Sequence, residues 1–529
     1  MKFGIQEFIV AMIADSWNLP WYIKLAVGAT LLYTILNIRT HVLCKLYNAT
    51  QAPKKGDWSF GLFFLYETIK ESKKGHYLEW IRQRMAALGL QTSSFKLAGK
   101  EVLFTHDPAN IKAMLATQFN DFALGSRHKY LHITLGDGIF TLDGSGWKHS
   151  RALLRPQFSK EQVRQVESLE PLVKTLIEQI KAKNGAKFDI QPLFYKLTID
   201  NGTDFLFGES CNSLGGGSST TGKAKASQIS PMIRQRFARA FDYVQDMLFL
   251  RVNLQAFYWL GRTKEFDRCN TLVHEFTDHY VGKALQSSRD KSGFKFDEKY
   301  VFLNELVKET RNPKVLRDQC LNILLAARDT TAGLLSFSFY ALSRNPDIFQ
   351  KLRTAIIESF GEGHDAELAK VSFESLKKCE YLRWFINEVL RMYPSVPRNF
   401  RVASKTTTLP CGGGDDQKSP ILVEKGTPVF FFVYSLHREE LYYGEDASSF
   451  RPERWGEDSA RLIGWAYLPF NGGPRICLGQ QLALTNASYV IVRLLQTFGN
   501  IKSFDGVYPP RLKKHLKMSL MDGANIALL

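Results

Sequence analysis

Near the end of the chain, the stretch FNGGPRICLG, Phe470 to Gly479, surrounds one cysteine with three glycines and a proline. Gly-Gly-Pro favours a turn, and a free cysteine in a loop is commonly a small buried side chain. Two chemical alternatives stay open. Cys477 could be a nucleophile whose pKa is lowered by Arg475 and by the amides of a following helix, or a thiolate ligand to a metal. Other segments must decide among these three.

A second unusual segment runs from Leu316 to Leu342 and is apolar almost all round, which predicts a helix through the core. The polar residues from Arg328 to Thr331 interrupt it, and burying them costs free energy unless they are paired or hydrated. Thr330 can donate a hydrogen bond to the carbonyl of Ala326, which bends a helix. The segment predicts either a place for a small polar ligand or water, or a polar face bonded to neighbouring elements.

Further charged and aromatic positions are weak signals individually. SLKKCEYLRWFINEVLRMYP, residues 375–394, predicts one long helix that is ended by Pro394 and carries Glu388 and Arg391 on one face. Later segments contribute Arg454 in FRPERW and, on one predicted helix face earlier in the chain, Trp147 and Arg151.

The composition describes a large basic protein with a sizeable core. The chain has 529 residues, of which 45% are hydrophobic and 13% aromatic, and this excludes a disordered chain. The net charge of +17 suits nucleic acid, an anionic membrane or an acidic protein partner, but no long Lys/Arg run supports nucleic acid. The seven cysteines form no C-x-x-C or Cys/His cluster, which disfavours a disulfide framework and a structural zinc site. A reducing compartment is therefore predicted for the catalytic part.

The N-terminus predicts a membrane anchor. Trp21 to Ile38 is an 18-residue apolar stretch with one charge, Lys24, and is just long enough to span a bilayer. Positive charge follows the stretch, so the large C-terminal part is expected in the cytosol. A buried core helix is the alternative, and a cleaved signal peptide fits worse because the basic flank lies on the wrong side. Phe8 to Ala14 is too short to span, and its insertion stays open.

Beyond the anchor and linker of residues 1–55, no linker divides residues 56–529, which are predicted to form one domain. Helical patterns dominate and strands cluster in two places, so the predicted fold class is mainly α with small β-sheets. SFKLAGKEVLFT, residues 94–105, predicts two strands around a glycine turn. Leu214 to Ser227 and Cys411 to Pro420 are predicted as loops.

Together, and in this order, these segments resemble one family, the cytochromes P450 or haem-thiolate monooxygenases. FNGGPRICLG fits the signature F-x-x-G-x-R-x-C-x-G at every specified position, namely Phe470, Gly473, Arg475, Cys477 and Gly479. The resemblance runs from about Gly56 to the C-terminus, and the N-terminal anchor resembles that of microsomal members. It implies the cytochrome P450 fold with an N-terminal transmembrane helix.

The resemblance also implies a role for each matching residue. Cys477 would be the axial thiolate of a haem b iron, which favours O–O cleavage, and glycines would let backbone amides approach the sulfur. Other haem contacts would be Phe470, Gly479, Arg475, Trp147, Arg151 and Arg401. Asp329 and Thr330 match the pair that manages water and protons at bound oxygen. Glu388, Arg391 and Arg454 match a structural triad behind the haem.

Two positions depart from related patterns. Ala327 stands where the oxygen-helix motif usually has glycine, so a methyl group could narrow the oxygen pocket. Ala326 stands where animal fatty-acid ω-hydroxylases often carry a glutamate that esterifies the haem. A non-covalent haem is therefore expected.

The resemblance is greatest to the fungal subgroup that hydroxylates n-alkanes and fatty acids at the chain end. The bulky stretch from Phe237 to Leu260 suits the roof of an apolar channel, or equally an amphipathic core helix. The alternative is a cytochrome P450 that acts on another hydrophobic molecule, such as a sterol, terpenoid or xenobiotic. Chain length, alkane versus fatty acid, and the extent of oxidation are left open.

Electrons must come from a separate protein, because no G-x-G-x-x-G or flavin-binding segment occurs. The resemblance implies O2, NADPH and the NADPH–cytochrome P450 reductase, with cytochrome b5 as a further candidate donor, at the endoplasmic reticulum membrane. Two other classes of protein compete with a monooxygenase. A haem-thiolate isomerase or dehydratase would not need Asp329 and Thr330, and a membrane-tethered binding protein would carry no chromophore.

Overall fold

The computed structural model describes residues 20–54, 61–97, 100–158, 166–215, 231–288, 300–362, 370–513 and 517–529. Helices dominate these residues, as the mainly α class predicts. The α-helices are α1 (Trp21–Leu46), α2 (Leu62–Lys74), α3 (Tyr77–Ala87), α4 (Pro108–Lys112), α5 (Arg127–Leu135), α6 (Gly144–Leu154), α7 (Glu170–Lys181), α8 (Gln191–Phe207), α9 (Pro231–Leu254), α10 (Lys264–Ser287), α11 (Phe302–Glu309), α12 (Pro313–Arg344), α13 (Pro346–Phe360), α14 (Phe373–Lys378), α15 (Glu380–Met392), α16 (Val433–Leu436), α17 (Glu440–Tyr443) and α18 (Gln480–Thr497).

The strands form small sheets. They are β1 (Thr92–Leu97), β2 (Lys100–Thr105), β3 (Phe122–Ala123), β4 (Phe188–Asp189), β5 (Arg398–Ala403), β6 (Thr407–Gly413), β7 (Ser419–Val423), β8 (Pro428–Phe432), β9 (Ile501–Ser503), β10 (Leu512–Lys513), β11 (Ser519–Leu520) and β12 (Asn525–Leu528). The largest sheet has the order β1-β2-β8-β5-β3, in which only the β2–β8 pair is parallel. Smaller sheets are β4-β12-β9, β6-β7 and β10-β11.

Helix α12 passes through the core and packs against α8, α10 and α18. It begins with Pro313 after the N-cap Asn312, whose side-chain oxygen accepts from the amides of Lys314 and Val315 at 3.0 and 3.3 Å. Because the helix is apolar on all sides, it is buried over most of its length. The prediction of a core helix across Leu316 to Leu342 is confirmed.

The boundaries of helices and strands differ from the sequence prediction in two places. The single helix predicted over residues 375–394 is wrong, because Cys379 adopts an extended conformation and separates α14 from α15. The predicted loop from Cys411 to Pro420 is shorter than expected, since its ends belong to the antiparallel strands β6 and β7. The strand pair predicted over residues 94–105 is confirmed as β1 and β2.

Helix α1 covers the predicted anchor and continues to Leu46. Its mean hydropathy is 1.3 over the most apolar window, and none of that window is buried in the protein, so α1 is long and apolar enough to cross a membrane. After α1 the chain pairs with strand β7. The Thr50 amide donates to the Pro420 carbonyl, and the Thr50 carbonyl accepts from the Leu422 amide. Residues 8–14 and most of the predicted loop at 214–227 lie outside the described residues.

Candidate active site

The cysteine loop is a closed turn placed directly before a long helix. The Cys477 amide donates to the Phe470 carbonyl at 3.0 Å, and α18 begins at Gln480. Gly473 has a φ of +65°, and a Cβ there would overlap the carbonyl oxygen of Leu115. Only glycine fits this close approach, which explains why the sequence places it there. The turn presents the Cys477 side chain outward from the helix start.

Cys477 faces a cavity of about 1790 Å³. The protein around it raises the pKa of the thiol by desolvation, while the Gly479 amide and the Arg151 guanidinium oppose that rise. The cavity extends from Cys477 to Leu36 and Arg39 at the C-terminal part of α1. It exceeds the roughly 300–1,000 Å³ of ordinary ligand pockets.

Three predicted haem contacts surround the cysteine loop. Arg475 lies over the ring of Trp147, with 4.4 Å from guanidinium carbon to ring centre, and donates to Asp143 Oδ1 at 2.7 Å. Arg151, on the same face of α6 as Trp147, donates to the carbonyl of Ile476 at 3.0 Å. Both arginines and Trp147 line the cavity. The structure therefore brings together side chains that are more than 320 residues apart in sequence.

Arg401 lies on β5, is only 3% exposed, and also lines the cavity. Its guanidinium donates to the carbonyl of Phe400 at 2.8 Å. Burial, together with the positive charges of Arg127 and Arg475, lowers its pKa to about 9. Burial likewise lowers the pKa of Arg127 and of Arg475 to about 10. Arg401 is buried and Arg127 and Arg475 are half-buried, and these three cations near one carboxylate, Asp143, make a site that favours additional negative charge.

Arg127 is a residue that the sequence analysis missed. It begins α5, donates to Asn399 Oδ1 at 2.8 Å and lies over the ring of Phe400. Its role depends on contacts with β5, which lies about 270 residues later in the chain. No local motif marks it, so only the folded structure could identify it.

Helix α12 supplies another part of the cavity wall. Ala326, Ala327, Thr330 and Thr331 line the cavity. Thr330 Oγ1 donates to the Ala326 carbonyl at 2.7 Å, as the sequence predicts. Ala327 places its methyl group on the cavity wall, at the position where a narrowing of the pocket was expected.

Asp329 lies beside this wall in a charged cluster. Its Oδ2 accepts from Lys517 Nζ at 2.9 Å, and Arg328 Nη1 lies 3.4 Å from its Oδ1. Arg328 also forms an ion pair with Asp242 of α9. Lys517, which no motif in the sequence marks, lines the cavity, and 11% of its side chain is exposed. Burial lowers the Lys517 pKa, and the Asp329 carboxylate opposes that shift.

The predicted triad forms a buried network. Arg391 donates to both oxygens of Glu388, at 2.9 and 2.8 Å, and neither side chain is exposed. Arg454 donates to Glu388 Oε1 at 3.1 Å, and Trp455 Nε1 donates to Oε2 at 3.0 Å. The network joins α15 to the turn of residues 452–456, which precedes the cysteine loop. These residues do not line the cavity that Cys477 faces.

The fold is mainly α, and its cysteine loop faces a large cavity lined by arginines, an arrangement that suits the class of haem-thiolate proteins. The family model for cytochrome P450 matches residues 52–521. Cytochrome P450 52A12 of Debaryomyces hansenii is 52% identical, over 93% of this chain and 94% of its own length. Cytochrome P450 52A5 of Candida maltosa is 49% identical, over 97% of this chain and 98% of its own length. Cytochrome P450 52A1 of Candida tropicalis is 54% identical, over 83% and 80%.

This chain belongs to the cytochrome P450 family and is a monooxygenase of that family. The resemblance found in the sequence is confirmed. The family uses a thiolate-bound haem b with O2 and NADPH-derived electrons, and takes those electrons from a reductase. The residues present fit that cofactor, because a thiol faces a large cavity whose wall also carries guanidiniums, the cations that pair with carboxylates such as those of a haem.

Proposed function

We propose that this monooxygenase hydroxylates long-chain aliphatic molecules, n-alkanes and fatty acids, at the terminal carbon. The observation that carries the proposal is the cavity that runs from Cys477 to the membrane helix α1. Its long walls are mainly aliphatic and aromatic, including Phe249, Leu250 and Phe257 of the predicted roof. Such a channel suits a flexible apolar chain that enters from a bilayer and presents one end to the cysteine side.

The roof itself divides into two halves. Phe237, Phe241 and Val244 of α9 are buried in the protein core, whereas residues 249–250 and 252–258 line the cavity. The interpretation as a core helix is thus supported for the first part of the stretch, and the interpretation as a channel roof for the second part. The C-terminal half would contact substrate, and the N-terminal half would hold it in place.

The haem would be held by Cys477 at the iron and covered by Phe470 on the cysteine side, with Gly479 donating toward the sulfur. Trp147, Arg151, Arg401 and Arg475 would hold its carboxylates, and Arg127 joins this set. When bound, the haem activates O2 so that one oxygen atom is inserted into a C–H bond. Ala326 offers no carboxylate for an ester, so the haem would be non-covalent.

Thr330 and Asp329 would supply the protons that oxygen reduction consumes. Thr330 is on the cavity wall and can hold a water or donate from its hydroxyl. Asp329 is beside it and would act through Thr330, Lys517 or water, since the carboxylate is bonded to the Lys517 ammonium. Positioned proton transfer of this kind typically contributes about 10²–10⁴-fold in rate.

Glu388, Arg391 and Arg454 would have a structural role, holding α15 against the segment before the cysteine loop. Residues 1–55 would anchor the protein and residues 56–529 would form the catalytic domain. We propose that the protein lies in the endoplasmic reticulum membrane with its catalytic domain in the cytosol, because basic residues follow α1. The net positive charge favours acidic electron donors, the NADPH–cytochrome P450 reductase and, in addition, cytochrome b5.

The proposal is tested with purified protein reconstituted with reductase, NADPH and matched panels of n-alkanes, fatty acids, sterols and terpenoids. Terminal alcohols of the linear substrates are expected as the main products, identified by gas chromatography and mass spectrometry. Preferential oxidation of a sterol or terpenoid would favour the alternative substrate class and overturn the proposal.

A further inference from the structure

Three side chains that commonly bind transition metals converge on the outer face of α5. His128 and His132 are one helical turn apart, and Asp137 lies two residues after the helix ends. None of the three lines the cavity that Cys477 faces. They therefore form a cluster separate from the site of the reaction.

The geometry of this cluster suits a small cation. Asp137 Oδ1 lies 3.0 Å from His128 Nε2 and 3.6 Å from His132 Nε2. All three ligand atoms lie within 4.8 Å of one another. Zinc bonds of about 2.0–2.2 Å to His nitrogen and carboxylate oxygen separate tetrahedral ligands by roughly 3.3–3.5 Å. Histidines spaced i, i+4 on a helix are a recognised zinc arrangement.

The surroundings leave room for an ion and for water. The His128, His132 and Asp137 side chains are 44%, 42% and 46% exposed, so a solvent molecule can complete the coordination. Lys314 Nζ lies 3.3 Å from Asp137 Oδ2 but only 2.8 Å from Asp318 Oδ2. Lys314 therefore has a second carboxylate partner and need not hold Asp137 once a cation binds.

The backbone of Asp137 is hydrogen-bonded to helix α12. Its amide donates to Asp318 Oδ2 at 2.9 Å, and its carbonyl accepts from Gln319 Nε2 at 3.2 Å. Both partners belong to α12. An ion bound to Asp137 and to the two histidines would join α5 to the Asp137 segment, whose backbone is hydrogen-bonded to the first part of α12.

Helix α5 also forms part of the cavity wall. Arg127, Lys129, Tyr130 and Leu131 of α5 line the cavity. The Tyr130 hydroxyl donates to Gln255 Oε1 at 3.2 Å, which joins α5 to the roof segment. Movement of α5 would therefore change the width of the channel through which substrate passes.

We propose that His128, His132 and Asp137 bind one transition-metal ion of the Zn²⁺ class, which fixes α5 against α12 and slows the exchange of substrate. The ion replaces the hydrogen bond between His128 and Asp137. Its ligands include no residue of the cysteine loop and none of the arginines that line the cavity. Its effect is on the rate at which substrate enters and leaves, rather than on the chemistry at Cys477.

Metal binding is tested directly on the haem-loaded full chain. The protein is dialysed against ZnCl2 in chelator-free buffer, and bound zinc is measured by mass spectrometry. The wild type is expected to hold one Zn²⁺ per chain more than His128→Ala or His132→Ala. His149→Ala is the matched control, because His149 is an exposed histidine on the neighbouring helix α6. Equal zinc content in the wild type and both cluster variants would overturn the proposal.

The restraint on α5 is tested by stopped-flow mixing with dodecanoic acid, a linear fatty acid, followed by the haem absorbance change. Zn²⁺ is expected to slow the change at least severalfold in the wild type and in His149→Ala, and to leave the rate in His132→Ala unchanged. Similar metal-free rates in all three proteins would show that the variants are intact. Rates independent of Zn²⁺ in a wild type that binds the ion would overturn the restraint.

Discussion

Lys517 donates from its ammonium group to Oδ2 of Asp329 at 2.9 Å, which joins the C-terminal segment to the middle of helix α12. The two residues are 188 positions apart in the sequence. Lys517 lines the cavity, and Asp329 lies behind it in contact with Arg328. The carboxylate expected to manage protons is thus held by a cation that itself reaches the cavity.

This contact predicts that Lys517 and Asp329 act as one unit. Lys517→Met and Asp329→Asn are each expected to slow product formation by about 10²-fold, within the range of positioned proton transfer. The double variant should be no slower than Asp329→Asn alone, because one residue acts through the other. Steady-state turnover with saturating substrate measures the effect, and KM measured beside it separates proton delivery from loss of substrate contacts.

Lys513→Met is the control, since Lys513 is exposed on the preceding strand β10. It should retain wild-type turnover. Independent, multiplicative losses in the double variant would show that Lys517 serves substrate binding and that Asp329 receives its orientation from Arg328 instead.

Thr330→Ala is expected to keep haem content and substrate binding while diverting electrons to hydrogen peroxide. The reason is that the Thr330 hydroxyl donates to a carbonyl of its own helix α12, while Thr330 lines the cavity. Peroxide formed per NADPH consumed measures the diversion. Ser338→Ala removes a comparable bond to the Leu334 carbonyl, 2.8 Å long, away from the cavity, and should stay coupled. A coupled and active Thr330→Ala enzyme would place the proton path elsewhere.

Arg401→Met is expected to speed the loss of haem. Burial lowers the pKa of Arg401 to about 9, so its charge is unfavourable by itself and is stabilised by an anion at the same place. Transfer of haem to apomyoglobin measures the rate. Arg398→Met is the matched control, because Arg398 lies on the same strand and cavity wall but bonds to Tyr77 and Asn253. Equal rates in both variants would remove Arg401 from the haem contacts.

Glu388→Gln is expected to destabilise the protein by about 3–5 kcal/mol, because it leaves Arg391 and Arg454 buried without their shared carboxylate. Arg383→Gln breaks an ion pair of the same i, i+3 spacing on the same helix α15, but that pair is 50% and 68% exposed. Its loss should cost only about 0–1 kcal/mol. Urea unfolding and haem content measure both variants, and equal stability losses would contradict a buried structural triad.

The parts of the site that the sequence reveals are those built from neighbouring residues. The cysteine turn needs glycine at position 473 because its φ is +65°, and Thr330 bonds to a carbonyl one turn away. Both are therefore readable from a short pattern. The pair Glu388 and Arg391 also lies within one helical turn.

The parts that the sequence does not reveal depend on long-range contacts or on small local energies. Lys517 and Arg127 acquire their roles from partners far along the chain, which no spacing rule predicts. The break at Cys379 has no proline or glycine beside it, so helix periodicity continues across it in the sequence. Tertiary packing of α14 and α15 decides that position.

Cys477 is proposed to be the thiolate ligand of the haem iron, and the absorbance spectrum of the reduced protein with carbon monoxide tests this assignment. The wild type should show the strongly red-shifted Soret band of a thiolate-bound haem. Cys477→His should lose that band and the hydroxylase activity while other cysteine variants, such as Cys411→Ser, retain both. A Cys477→Ser protein that keeps the red-shifted band and the activity would contradict the account.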